Sequence, residues 1–265
     1  MEKEKDYYID KIFKEQLDKI RNAVLKKDRD YVMVIDGEEG CGKSVLAMQI
    51  AKYLDPKFNL DQVVFNADQF MKSIKEIKKY SCVVLDEAFS ASSSRASLSE
   101  VNRAMVGIAT EMRQRNLFVI MVLPSFFDLD KYFALWRCRA LIHVYFTQDG
   151  GRGRYIMFPK TKKKYLYLNG KKTYNYTKPK SPFPPCRFNN YYVLDEQEYR
   201  LKKAEAFRKR TVSNLAKRWK GQRDALIKEL YHNFRVSSAD IGMKLNEWDA
   251  RSLTDREIRR IVQLE

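Results

Sequence analysis

A chain of 265 residues, 45% hydrophobic and 32% charged, is long enough to bury a core of its own, which excludes a disordered chain as the default. Its apolar runs are too short to cross a bilayer and its first residues, MEKEKDYY, carry no apolar signal core, so the expectation is a cytoplasmic protein, in a host cytoplasm if viral, with no membrane insertion. Net charge is +17 and unevenly spread: residues 1–150 hold 23 basic and 22 acidic side chains, residues 151–265 hold 28 and 12, so the second part is expected to meet a polyanion, with DNA the first candidate.

Residues 10–26 place Ile12, Phe13, Leu17, Ile20 and Val24 at helical spacing, predicting an amphipathic helix that packs on the core as a 1–30 segment. Residues 31–36 (YVMVID) then read as a buried strand, a glycine-rich turn follows, and 44–54 has helical periodicity until Asp55-Pro56 stops it. Further apolar runs at 62–66, 82–85, 117–123 and 140–146 alternate with stretches of helical composition. That alternation predicts an α/β fold with a parallel sheet covered by helices on both faces. Ser97 to Glu100 reads as a capping box opening a helix toward Arg115, and 88–96 reads as a small polar loop.

The turn after the first strand meets the pattern G-x-x-x-x-G-K-[ST]: Gly37, Glu38, Glu39, Gly40, Cys41, Gly42, Lys43 and Ser44, with Val45 next on the helix. In such a loop glycines let backbone N–H groups turn inward around phosphates. The lysine reaches the β- and γ-phosphates and the serine hydroxyl ligates Mg²⁺. The loop therefore predicts ATP with Mg²⁺ as ligands. The strand 82–85 ends in Asp86, a carboxylate for the metal, and Glu87 directly after it is placed to orient or deprotonate an attacking water. Hydrolysis is the expected outcome; Glu87 as a mere loop charge is the alternative. Ser125, after the strand 117–123, is either a polar sensor of the γ-phosphate or the N-cap of the next helix. Arg113 and Arg115 are candidates for an arginine finger, with Arg95, Arg137 and Arg139 as rivals, although cations at a helix end are also ordinary dipole partners.

The four cysteines, Cys41, Cys82, Cys138 and Cys186, are scattered without a C-x-x-C pair, so no structural zinc or disulfide framework is expected. His143, inside an apolar run, is expected to be a core histidine.

Residues 31–146, and most closely 111–125 (EMRQRNLFVIMVLPS), resemble P-loop ATPases of the FtsK/HerA and zonula-occludens-toxin-like group, which carry an additional catalytic glutamate and occur in phages and mobile elements. The resemblance implies a RecA-like sheet, ring-shaped homo-oligomers and movement of DNA. Two departures stand out: many members carry a glutamine where this strand ends in Leu-Pro-Ser125, and the membrane anchor of secretion-type members is missing here. A replication loader, a DNA-packaging motor and an ATP-switched DNA-binding regulator remain alternatives, and a small-molecule kinase is a weaker one.

The remainder is expected to continue the ATPase domain, 31–178, as a basic, aromatic antiparallel extension turning near Asn169-Gly170. A proline-containing linker at 179–194 and a basic helical domain at 195–265 follow. In the latter, 196–217 reads as one helix and 222–263 as three shorter ones, helix-turn-helix-like, the last opened by a capping box at Thr254 and Glu257. That helix projects Arg256, Arg259 and Arg260 as candidate DNA contacts, with a bundle that only packs as the alternative. In the extension, base stacking by Tyr155, Tyr165, Tyr167, Tyr174 or Tyr176 is weighed against ordinary solvent-facing residues.

Overall fold

The computed structural model describes residues 7–86, 107–248 and 253–263, which divide into two compact units, Met1–Leu201 and Lys202–Glu265. Glu87, Arg95, the loop at 88–96 and the capping box at 97–100 lie outside the described residues.

In the first unit helix α1 (Lys11–Lys26) starts where the Asp10 carboxylate accepts the Ile12 N–H, and it buries Phe13, Leu17 and Val24 along one stripe. Strand β1 (Tyr31–Gly37) leads through the glycine turn into α2 (Lys43–Leu54), whose inner face is buried almost throughout. Then come β2 (Val63–Val64), α3 (Ala67–Glu76, capped by Asn66), β3 (Cys82–Leu85), α4 (Ala109–Gln114), β4 (Phe118–Val122) and β5 (Cys138–Tyr145). Five strands are parallel in the order β2-β3-β4-β1-β5, so the glycine-loop strand β1 and the Asp86 strand β3 are separated by β4. This is a RecA-like α/β core with helices on its sheet. Val32 and Val34 of β1, Val83 and Leu85 of β3, and Val119 and Met121 of β4 alternate onto one face and form the centre of the core with Phe70, Phe126 and Phe133.

Two antiparallel strands, β6 (Arg154–Pro159) and β7 (Cys186–Arg187), extend the sheet beyond β5. Between them the chain departs from the expected hairpin: Lys160–Gly170 is helix α5. Its buried residues, Lys163, Leu166, Tyr167 and Gly170, recur at spacings of three, one and three, a helical face, and Asn169-Gly170 ends the helix instead of turning a hairpin. Residues 179–194 lie along the new sheet edge: Ser181 donates to Met157 O at 2.5 Å, Cys186 pairs with Tyr155, and the Phe188 N–H donates to Gly153 O at 3.0 Å.

Helix α6 (Glu196–His232) is a single helix of 37 residues, where a break near 217–222 was expected; Gly221 is accommodated inside it at a cost of about 1 kcal/mol. In the second unit, α7 (Ser238–Trp248) and α8 (Asp255–Gln263) share a small core of Ile227, Ile241 and Ile258. The capping box forms: Thr254 Oγ1 accepts the Glu257 N–H at 3.3 Å and Glu257 Oε2 accepts the Thr254 N–H at 2.9 Å. Part of the connection between α7 and α8, residues 249–252, lies outside the described residues.

Candidate nucleotide site

β1 ends at Gly37 with φ 140°, and a Cβ there would stand 1.9 Å from the Val144 carbonyl oxygen of β5, so only glycine fits between the two strands. The loop re-enters helix at Gly42, φ 100°, which N-caps α2 without a side-chain cap. The first N–H groups of α2 therefore face the loop with no side-chain acceptor of that kind, and the helix N-terminus adds positive potential. Lys43 Nζ folds over the same loop, donating to Gly37 O at 2.7 Å and Glu38 O at 2.6 Å. Its partners are carbonyls, so the cation sits over the loop without a carboxylate partner among the described residues. Glu38, Glu39 and Gly40 are exposed, whereas Cys41 and Val45 are buried; burial pushes the Cys41 thiol up, against a downward pull from Lys43.

One residue further on, the Ser44 hydroxyl donates to Asp86 Oδ1 at 2.9 Å. Asp86 directly follows β3 and continues its ladder through an N–H bond to Val64 O, which holds the carboxylate at the carboxyl edge of the sheet, where Gly37 also lies. Asp86 is almost fully buried, and its other oxygen, Oδ2, accepts a hydrogen bond from the Tyr199 hydroxyl.

A second carboxylate lies beneath the loop. Asp36, the residue before Gly37, is fully buried and holds three partners: His143 Nδ1 stands 2.9 Å from Oδ1, while the Phe126 N–H (2.8 Å) and the Tyr176 hydroxyl (2.5 Å) donate to Oδ2. The His143 and Tyr176 rings stack at 3.9 Å. Burial, and then the Asp36 charge, raise the Tyr176 hydroxyl far above its ordinary value, so it remains a donor. Since its proton goes to Asp36, the 3.3 Å contact with Ser125 has Ser125 donating.

Ser125 also accepts the Phe127 N–H at 3.2 Å and caps the short helix Phe126–Asp128, so it serves as an N-cap and joins the Asp36 network at the end of β4. His143 is half-buried and carboxylate-bound, where a plain core histidine was expected. Arg113 is exposed, and the Arg115 guanidinium donates to Ile77 O at 2.7 Å. Both precede β4, at the opposite edge of the parallel sheet from Gly37, so within one chain they are separated from the loop by the length of the strand. Arg137 is committed to Asp30 and Ala109 O, while Arg139 is half-buried. Tyr155 and Tyr167 are buried and Tyr176 is held by Asp36, which leaves Tyr165 and Tyr174 exposed. On α8, Arg256, Arg259 and Arg260 are exposed.

The sequence carried no expectation for Asp36, Gln49 or Tyr199 at the site, and Tyr176, weighed there for base stacking, is instead the donor to Asp36. An acid closing the apolar run YVMVID was a usable signal for Asp36; the two tyrosines lie 140 and 113 residues from their carboxylates and carry no local signal.

The donor set fits a magnesium nucleotide. Mg²⁺ is usually bound by one or two carboxylates together with substrate phosphates, so Ser44 and Asp86 suffice without an all-protein cage. No group of three or more His, Cys, Asp or Glu side chains suited to a metal occurs among the described residues, and all four cysteines are free and buried. No helix among the described residues is long and apolar enough to cross a membrane.

No protein-family profile matches the chain, and no curated protein matches its sequence. Among solved structures, the N-terminal domain of zonular occludens toxin from Neisseria meningitidis aligns with 16% identity over 49% of this chain and 84% of that one, with a TM-score of 0.33, a likeness that says nothing of activity.

Proposed function

We propose that the chain is a magnesium-dependent ATPase that handles DNA, assembled as a homo-oligomeric ring and belonging to a phage or mobile element. The observation that carries the ATPase reading is the Ser44–Asp86 hydrogen bond: it joins the glycine-loop helix to the acid-bearing strand across an intervening strand, where a metal-bound triphosphate is to be held. Bound Mg²⁺ supplies charge neutralisation of the phosphates. Ser44 and Asp86 would hold it; the N–H groups from Gly40 to Ser44 and the Lys43 ammonium would bind the phosphate oxygens. For the last, Lys43 Nζ exchanges its carbonyl partners for the ligand's oxygens. Glu87, adjacent to Asp86, is the proposed acceptor of the attacking water's proton.

The DNA part of the proposal is supported by the excess of 28 basic over 12 acidic residues after residue 150 and by the exposed Arg256, Arg259 and Arg260. The ring, the mobile-element origin and an arginine finger in trans rest on the resemblance described above, with Arg113, exposed on the opposite sheet edge, as the candidate finger. The test is ATP turnover by the full chain with and without duplex DNA. Turnover that DNA stimulates and that Lys43→Ala abolishes supports the proposal; turnover that Lys43→Ala leaves intact defeats it.

A further inference from the structure

We propose that Tyr199 is a positioning residue for the magnesium carboxylate: its phenol, carried by the first turn of α6, fixes the orientation in which Asp86 meets a nucleotide-bound metal. The inference deepens the ATPase reading and rests on it.

Asp86 is fastened at both oxygens. Ser44 donates to Oδ1 at 2.9 Å and Tyr199 to Oδ2, and both Asp86 and Tyr199 are buried, at 1% and 3% exposure. Two donors on two oxygens define the plane of the carboxylate as well as its position. A carboxylate oxygen can accept more than one bond, so a phenol donor on Oδ2 is compatible with a metal at the same group.

The segment that delivers Tyr199 is itself fixed to the glycine-loop helix. The Phe188 ring lies 3.0 Å from where a Cβ on Gly42 would be. About two helix turns later, the fully buried Gln49 amide nitrogen shares its two protons among Asn189 O (2.9 Å), Asn189 Oδ1 (3.1 Å) and Tyr191 O (2.8 Å). Asp195 then starts α6 by accepting the Glu198 N–H at 2.7 Å, and its carbonyl accepts the Tyr199 N–H at 3.0 Å. The Tyr199 ring is flanked by Phe65 and Tyr192, each with centroids 6.1 Å away. The strap 186–199 thus runs from the loop to the metal carboxylate, and its last side chain is the one that touches Asp86.

Groups that orient a metal's ligands typically change metal affinity 10- to 100-fold when removed, whereas a purely structural tyrosine lowers stability without regard to the metal. The experiment is calorimetric titration of the full chain with ATP in excess Mg²⁺ and in EDTA, for wild type, Tyr199→Phe and Tyr192→Leu, with thermal melts of each. Expected for Tyr199→Phe is a fall of about 10- to 100-fold in the gain that Mg²⁺ gives to ATP affinity, with EDTA affinity within about twofold of wild type. Tyr192→Leu, which loosens the ring's surroundings but keeps the Tyr199 hydroxyl, is expected to lower the melting temperature and keep the gain. An unchanged gain in Tyr199→Phe, or equal losses with and without Mg²⁺, overturns the positioning role. A wild-type chain that binds no ATP in either condition overturns the nucleotide reading itself, and the positioning role with it.

Discussion

Ser44 and Asp86, 42 residues apart in sequence, meet through a 2.9 Å hydrogen bond at the carboxyl edge of the parallel sheet. That contact turns two sequence motifs into one site, because β3 and β1 are not neighbours: β4 lies between them, and the start of α2 reaches across to the acid. The strand order therefore brings the loop and the acid to one edge of the sheet with the end of β4 between them.

Among the described residues the Lys43 ammonium donates to the two loop carbonyls, so its removal is expected to leave the fold's hydrogen bonds nearly intact. Lys43→Ala is expected to keep the melting temperature within a few degrees and to weaken ATP binding by about 10- to 100-fold, the value of a charge-assisted hydrogen bond of roughly 1.5–3 kcal/mol. Calorimetry on the two proteins checks this; an unchanged ATP affinity counts against the assigned role.

Glu87→Gln separates binding from chemistry. Loss of a positioned general base lowers turnover by about 10²- to 10⁴-fold, while ATP affinity holds. Steady-state phosphate release beside equilibrium binding gives both numbers, and full turnover in Glu87→Gln would return that residue to the status of a loop charge.

Asp36 carries the buried network below the loop. Asp36→Ala leaves His143, Tyr176 and the Phe126 N–H without their shared acceptor, and the expected loss is about 3–5 kcal/mol of unfolding free energy. Urea unfolding measures it; a loss below about 1 kcal/mol would mean that the network relaxes freely.

The glycine loop, Asp86 and the parallel core were legible in the sequence because each is a local requirement: glycines for a turn, β-branched runs for buried strands, an acid at a strand end. Helix α5 was not, since the alternating tyrosines Tyr165 and Tyr167 suit a strand by propensity, and packing of Lys163, Leu166 and Tyr167 into the core decides for a helix. The Tyr199–Asp86 and Tyr176–Asp36 contacts were illegible for a different reason. Each is set by a chain path more than a hundred residues long, and a tyrosine's own neighbours do not reveal which carboxylate it will meet.

Alkali provides a test of burial. Burial pushes the Cys138 thiol up to about 11, against smaller downward pulls from Lys163 and the backbone, and Cys186 rises to about 11 as well. A thiol whose folded value exceeds the unfolded 9.0 contributes stability that is full below pH 9 and is lost as pH climbs through 11. Two units correspond to roughly 3 kcal/mol for fully buried Cys138. The urea midpoint is expected to fall between pH 9 and 11, and less steeply in Cys138→Ala; parallel profiles would remove the assignment.

Arg256, Arg259 and Arg260, exposed on α8, are the proposed phosphate contacts. Replacing all three by alanine is expected to reduce the slope of log affinity against log salt by about 3, near 0.9 for each lost phosphate contact on duplex DNA. Fluorescence anisotropy with a labelled duplex at several salt concentrations reads the slope, and an unchanged slope would place the DNA contact on other basic residues.

The most direct measurement for the whole account is ATP affinity as a function of magnesium in wild type, Ser44→Ala and Asp86→Asn. Wild type is expected to bind ATP more tightly as magnesium rises, with both variants losing most of that dependence yet remaining folded by circular dichroism. Wild-type affinity indifferent to magnesium, or both variants responding to magnesium as wild type does, would contradict the assignment of Ser44 and Asp86 to one metal.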